Sequence, residues 1–136
     1  MPKITRIDHI AIVSNDIDSA LHFWRDALGM EVAHIDDVPA EKSIVAFLPA
    51  GDSELEIVKP TTSDSGIAKY LDKRGPGMHH ICLEVDDLPG MLAQLKEKGV
   101  QLINESPLMG SGGKQYAFIH PKSTSGVLVE LYQITQ

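Results

Sequence analysis

Two histidines and two glutamates stand at matched places in this 136-residue chain, and their pairing suggests metal chemistry. His9 opens an apolar run, residues 9–13, and His80 opens another, residues 80–85; an aspartate follows seven positions after each histidine, Asp16 and Asp87. The segment 53–58 carries Glu56, and the segment 126–132 carries Glu130, with Leu-Glu-Ile-Val lying over Val-Glu-Leu-Tyr. The histidines are 71 residues apart and the glutamates 74, so the halves differ by a net three residues, a gap that surface loops absorb. Agreement at two independent points marks an internal duplication. A twofold repeat maps one His-and-Glu pair onto the other and brings four donors around one pseudo-symmetric point. Two imidazoles and two carboxylates suit a borderline divalent ion such as Co, Ni, Mn, Fe or Zn, and the lack of thiolate ligands disfavours structural zinc. On an ion that prefers six ligands, two positions remain for water or a bidentate substrate, which is the arrangement of a Lewis acid.

The elements that must carry these residues follow from periodicity. Residues 5–13 read as a central strand, apolar on both faces. Asn15 or Asp16 caps a helix in which Ile17, Ala20, Leu21, Trp24 and Leu28 recur at helical spacing until Gly29, so Trp24 is expected in the core. Strands are expected at 31–37, 43–49 and 53–59, which completes a βαβββ module. A linker, 60–77, is rich in Pro, Gly, Ser and Thr and holds a short helical piece at 67–71. The second module repeats the order: strand 78–85, a helix capped by Asp87 with Leu88, Met91, Leu92 and Leu95 inward and Gly99 at its end, then strands 100–105, 114–120 and 126–133. The glycine-rich stretch 109–114 has the wrong spacing for a Walker loop, with Gln115 after the lysine, and reads as a hairpin loop. The expected fold is α+β: one domain, 1–136, made of modules 5–60 and 77–134 whose mixed sheet curls around a central metal site.

The remaining histidines do not share the repeat. His22 lies off the apolar stripe of its helix, His34 is edge-like, His120 precedes Pro121, and His79 points away from His80 because strand side chains alternate. Nineteen acidic against twelve basic residues give a net charge of −7, which argues against nucleic-acid binding. A hydrophobic content of 43% fills one core, and Cys82, the single cysteine, reads as a core residue in a reducing compartment. With no signal segment and no apolar run of membrane length, a cytoplasmic protein that does not contact membrane is expected. Exposed sheet edges point to a homodimer.

With these residues in view, the chain resembles the vicinal oxygen chelate superfamily, whose paired βαβββ units enclose a metal, and within it the methylmalonyl-CoA epimerases. The resemblance runs from residues 7–11 through 77–82 to the most specific piece, residues 118–123 with 126–131. It implies an isomerase that inverts the carbon between a carboxylate and a thioester through a metal-stabilised enolate, acting on an acyl-CoA thioester. It also places His9, Glu56, His80 and Glu130 on the metal positions, the same four chosen by the repeat. By the same analogy Glu130 is the first candidate for the proton-transferring carboxylate. Lys114, Lys122 and Ser123 are candidates for holding the substrate, the lysines at the phosphates of the coenzyme A tail. Some members carry a catalytic Glu where this chain has Val45, which leaves Glu84 and Glu41 as candidates for a second base. A glyoxalase-type lyase or isomerase with the same ligands, and a non-catalytic small-molecule binder, are the competing functions.

Overall fold

The computed structural model describes residues 1–134, so the last two residues of the expected domain span lie outside the described residues. The chain divides into two compact units, His9–His79, and Met1–Asp8 with His80–Gln136. The first strand, β1 (Ile4–Val13), gives its C-terminal half to the former and its N-terminal half to the latter.

In the unit His9–His79, β1 runs parallel to β4 (Ser53–Pro60). β3 (Ser43–Ala50) is antiparallel to β4, and β2 (His34–Val38) is antiparallel to β3. Between β1 and β2 lies α1 (Ile17–Leu21), started by Asp16, whose carboxylate accepts from the Asp18 N–H at 3.2 Å and the Ser19 hydroxyl at 2.9 Å. The helix expected through Leu28 changes character at His22–Ala27, where the turns widen to π geometry and the Leu28 N–H reaches the Phe23 carbonyl at 2.8 Å. The extra residue in the turn shifts the phase of the apolar stripe: Trp24 packs on the core as expected, whereas Leu28 is 56% exposed. Ala46, Leu48 and Ile57, on alternate strand positions, close against Ile17 and Leu21. The expected helical piece in the linker is longer than 67–71: α2 (Gly66–Arg74) begins where the Ser65 hydroxyl accepts from the Ala68 N–H and ends at Gly75, which has φ +76°. Its Ile67 packs with Ala11, Val45 and Val58, on the strand face opposite α1.

The other unit repeats the plan. β5 (Gly77–Val85) runs parallel to β8 (Leu128–Ile134), β7 (Lys114–Ile119) is antiparallel to β8, and the two-residue β6 (Leu108–Met109) is antiparallel to β7. α3 (Leu88–Glu97) packs Leu88, Met91 and Leu92 against Val85, Ala117, Ile119 and Leu131, with Leu95 partly buried beside them, as the periodicity implies. The strand expected at 100–105 is not formed. Leu102 makes a single bridge to Ile119, and the N–H groups of Ile103 and Asn104 both aim at the Phe118 carbonyl. The Asn104 side chain accepts from the Phe118 N–H at 2.9 Å, and the Ser123 hydroxyl accepts from the Gln101 N–H at 2.9 Å. Side-chain oxygens therefore take the place of ladder carbonyls, and regular pairing resumes only at β6. Among the described residues no helix is long and apolar enough to cross a membrane.

The start of α3 couples two residues. Asp87 Oδ1 accepts from the Gly90 N–H at 3.1 Å, and a Cβ added at Gly90 would collide with that carboxylate. Glycine to alanine inside a helix ordinarily stabilises by roughly 0.5–1 kcal/mol. Here Gly90→Ala is expected to be destabilising in the parent protein and stabilising in an Asp87→Ala background. A double-mutant cycle in denaturant midpoints measures that coupling, and additive effects would refute it.

Candidate metal and substrate site

The positions of the paired histidines and glutamates are set by strand register. In the parallel pair β1–β4, His9 stands opposite Glu54 and Ala11 opposite Glu56, so Glu56 is the diagonal neighbour of His9 on the same face. His9 Nδ1 lies 3.3 Å from Glu56 Oε2, and His9 is buried. Phe47 of β3 stands opposite Glu56; one row on, Val45 faces Val58 and is buried among apolar groups, so this strand presents no carboxylate there.

The pair β5–β8 uses the same offset. His80 stands opposite Leu128 and Cys82 opposite Glu130, which makes Glu130 the diagonal neighbour of His80. His80 Nε2 lies 3.3 Å from Glu130 Oε1, and Glu130 is only 5% exposed. Phe118 of β7 stands opposite Glu130 and meets the His80 ring edge-on at 6.2 Å. Two donors each about 2.1 Å from one ion, at tetrahedral or octahedral angles, sit roughly 3.0–3.4 Å apart. Each half's imidazole and carboxylate therefore have the separation of two ligands on a shared cation. Glu130 is removed from water and has the Lys114 ammonium at 3.4 Å as a positive partner.

A second polar cluster surrounds Tyr132. Its hydroxyl donates to Glu84 Oε2 at 2.9 Å and accepts from Arg6 at 3.2 Å. Arg6 also bonds Glu84 at 3.1 Å and Asp8 at 2.8 Å, and the Thr5 hydroxyl donates to the other Glu84 oxygen at 3.0 Å. Burial would raise the Glu84 pKa, but the hydrogen bonds from Tyr132 and Thr5 and the Arg6 charge outweigh it and hold the group below its ordinary value. Tyr132 is pushed well above its ordinary value, first by burial and then by its bond to Glu84. Glu84 is thus a fixed anion, a weak proton acceptor, and Glu41 sits exposed in the 3-10 turn Pro39–Glu41.

Comparison with known proteins decides the family. Residues 8–118 match the Glyoxalase/Bleomycin resistance protein/Dioxygenase superfamily. The chain is 37% identical over 132 residues to the mitochondrial methylmalonyl-CoA epimerase of Mus musculus, covering 96% of this chain and 74% of that one. It is 37% identical over 133 residues to the ethylmalonyl-CoA/methylmalonyl-CoA epimerase of Cereibacter sphaeroides, covering 96% and 99%. A variant Streptomyces coelicolor methylmalonyl-CoA epimerase in complex with 2-nitronate-propionyl-CoA superimposes with a TM-score of 0.83 at 36% identity, covering 96% of this chain and 95% of that one. The chain belongs to the glyoxalase/bleomycin resistance protein/dioxygenase superfamily. Within that superfamily it is a homologue of the methylmalonyl-CoA epimerases, and it has the superfamily's α+β fold.

Lys114 begins β7, in keeping with the strand expected at 114–120, and its Nζ lies 3.4 Å from Glu130 Oε2. Lys122 and Ser123 lie in the 3-10 turn Pro121–Ser123, where Lys122 is exposed and the Ser123 hydroxyl staples the Gln101 backbone. His120 caps that turn, accepting from the Lys122 N–H at 3.0 Å; His22 and His34 are exposed, and His79 packs edge-on against Tyr70 at 4.9 Å. Sequence reasoning missed the Arg6–Glu84–Tyr132 cluster, although period-two spacing from Glu130 to Tyr132 and from His80 to Glu84 was a signal for it.

The Tyr132 cluster makes stability fall on both sides of neutrality. Glu84, with a lowered pKa, contributes stability that is complete above its ordinary value of 4.5 and is lost as pH falls through the lower folded value. Tyr132, with a raised pKa, contributes stability that is complete below its ordinary 10.0 and is lost as pH rises toward the folded value. Glu84→Gln should cost about 1 kcal/mol at pH 7, with the gap to the parent closing below about pH 4. Tyr132→Phe should flatten the alkaline limb above about pH 10. Urea midpoints across the pH range check both, and parallel profiles would contradict them.

Proposed function

We propose that the protein is a metal-dependent epimerase that interconverts (R)- and (S)-methylmalonyl-CoA by proton transfer through an enolate. The observation that carries this reading is the repeated His-and-Glu pair, in one register and at 3.3 Å in both halves, in a chain homologous to epimerases. On this reading modules 5–60 and 77–134 act as one domain, and His9, Glu56, His80 and Glu130 hold one divalent ion of the Co, Ni, Mn, Fe or Zn group. When bound, the ion supplies positive charge where the thioester oxygen gains negative charge, worth several kcal/mol in a site that excludes water.

The chain's own residues do the rest. The histidines and their paired glutamates would hold the ion, which would polarise the substrate's thioester oxygen. Glu130 is the proton carrier, which asks its carboxylate to come within about 3 Å of the carbon-bound proton. The aromatic ring of Phe118, opposite Glu130, shields that carboxylate from water. Lys122 and Ser123, together with Lys114, contact the acyl-CoA.

Incubation with methylmalonyl-CoA in deuterium oxide tests the reaction directly. The α-proton is expected to exchange, chelation to abolish exchange, and Co ions to restore it. Glu130→Gln should lower kcat by about 10²- to 10⁴-fold. Full turnover by metal-free protein would overturn the proposal, as would isomerisation of a glutathione hemithioacetal without α-proton exchange.

A further inference from the structure

Lys114 has surroundings that a lysine for the coenzyme A phosphates would not need. It stands in register with Ile134, two rows along the sheet from the Phe118–Glu130 row, and its side chain runs back over the row between them. Its ammonium lies 5.4 Å from the centroid of Tyr116 and 5.2 Å from that of Tyr132 before meeting Glu130 Oε2 at 3.4 Å. The Tyr132 ring is itself fixed, 5% exposed and tied by its hydroxyl to Glu84 and Arg6. Two aromatic faces and a buried carboxylate thus hold one positive charge beside Glu130, while the Lys114 side chain keeps 34% of its surface open. A cation bound for a mobile phosphate tail gains nothing from this clamp. A cation meant for a short anionic group arriving at Glu130 does, because the entropy of orienting the long side chain is already spent.

Building on the epimerase reading, we infer that Lys114 is the residue that reads the free carboxylate of the acyl group, its ammonium held for that contact by Tyr116, Tyr132 and Glu130. Charge-assisted pairing of ammonium with carboxylate is the chemistry, and it needs no bond to form or break. Tyr116 and Tyr132 act as positioning residues, setting where the charge rests.

Calorimetric binding of malonyl-CoA, propionyl-CoA and coenzyme A to Co-loaded protein separates the acyl end from the tail. The parent protein is expected to prefer malonyl-CoA to propionyl-CoA by about tenfold or more. Lys114→Met should reduce that preference to about twofold or less, with coenzyme A affinity unchanged, and Lys114→Arg should retain part of it. An equal loss for all three ligands would put Lys114 on the phosphate tail and overturn the inference, as would a preference that survives Lys114→Met or is missing in the parent. Absence of α-proton exchange in the parent, alongside a Lys114-dependent preference for malonyl-CoA, would reject the epimerase reading while leaving the recognition role intact.

Discussion

Everything at the candidate site depends on the register of two parallel strand pairs. In β1–β4 the glutamate lies two residues beyond the partner of the histidine, and in β5–β8 the offset is the same. A slip of one residue in either ladder would turn the carboxylate to the other face and replace it with an apolar neighbour. Such a slip is blocked on the far side of the sheet, where alternate residues of the same strands form the packed helix-facing cores. Core packing and the placement of the His-and-Glu pairs are therefore one constraint viewed from two faces. The three-residue difference between the histidine and glutamate spacings leaves both registers untouched, which confines it to the connections.

The same alternation divides labour between the faces. Leu131, Ala117 and Ile119 face α3, while Glu130, Tyr132, Tyr116 and Phe118 face the other way. A buried carboxylate on that second face costs free energy unless it is neutralised, and Glu130 has both His80 and Lys114 within 3.4 Å. Glu84 solves the same problem with Arg6, Thr5 and Tyr132. The two acids are two positions apart in their ladders, yet one is locked by fixed donors and the other faces groups suited to share a ligand.

The legible parts of the sequence were those governed by local rules. Asp16 and Asp87 declared their helices because a carboxylate at an N-cap satisfies otherwise orphaned N–H groups, and the His-and-Glu repeat survived any uncertainty in loop length. What escaped were competitions that only tertiary contact decides. The π turn at His22–Ala27 changes which residues face inward without changing their hydrophobicity, so Leu28 read as core and stands exposed. Asn104 captures a backbone N–H that a strand partner would have used, and the run 100–105 loses its ladder although it is apolar enough to form one.

Duplication explains the matched His-and-Glu pairs, and divergence of the neighbouring rows explains why the halves are not interchangeable. Phe47 and Phe118 occupy matching places opposite Glu56 and Glu130. One row on, the first half has Val45 against Val58, and the second has Tyr116 against Tyr132. A further row on, Ser43 stands against Pro60 where the second half has Lys114 against Ile134. The first half thus builds an apolar wall, sealed by Ile67 of α2, and the second builds a cationic one. The rows that carry His9 with Glu56 and His80 with Glu130 keep one pattern in both halves, while the rows beside them change character because no shared register or packing demand fixes their chemistry.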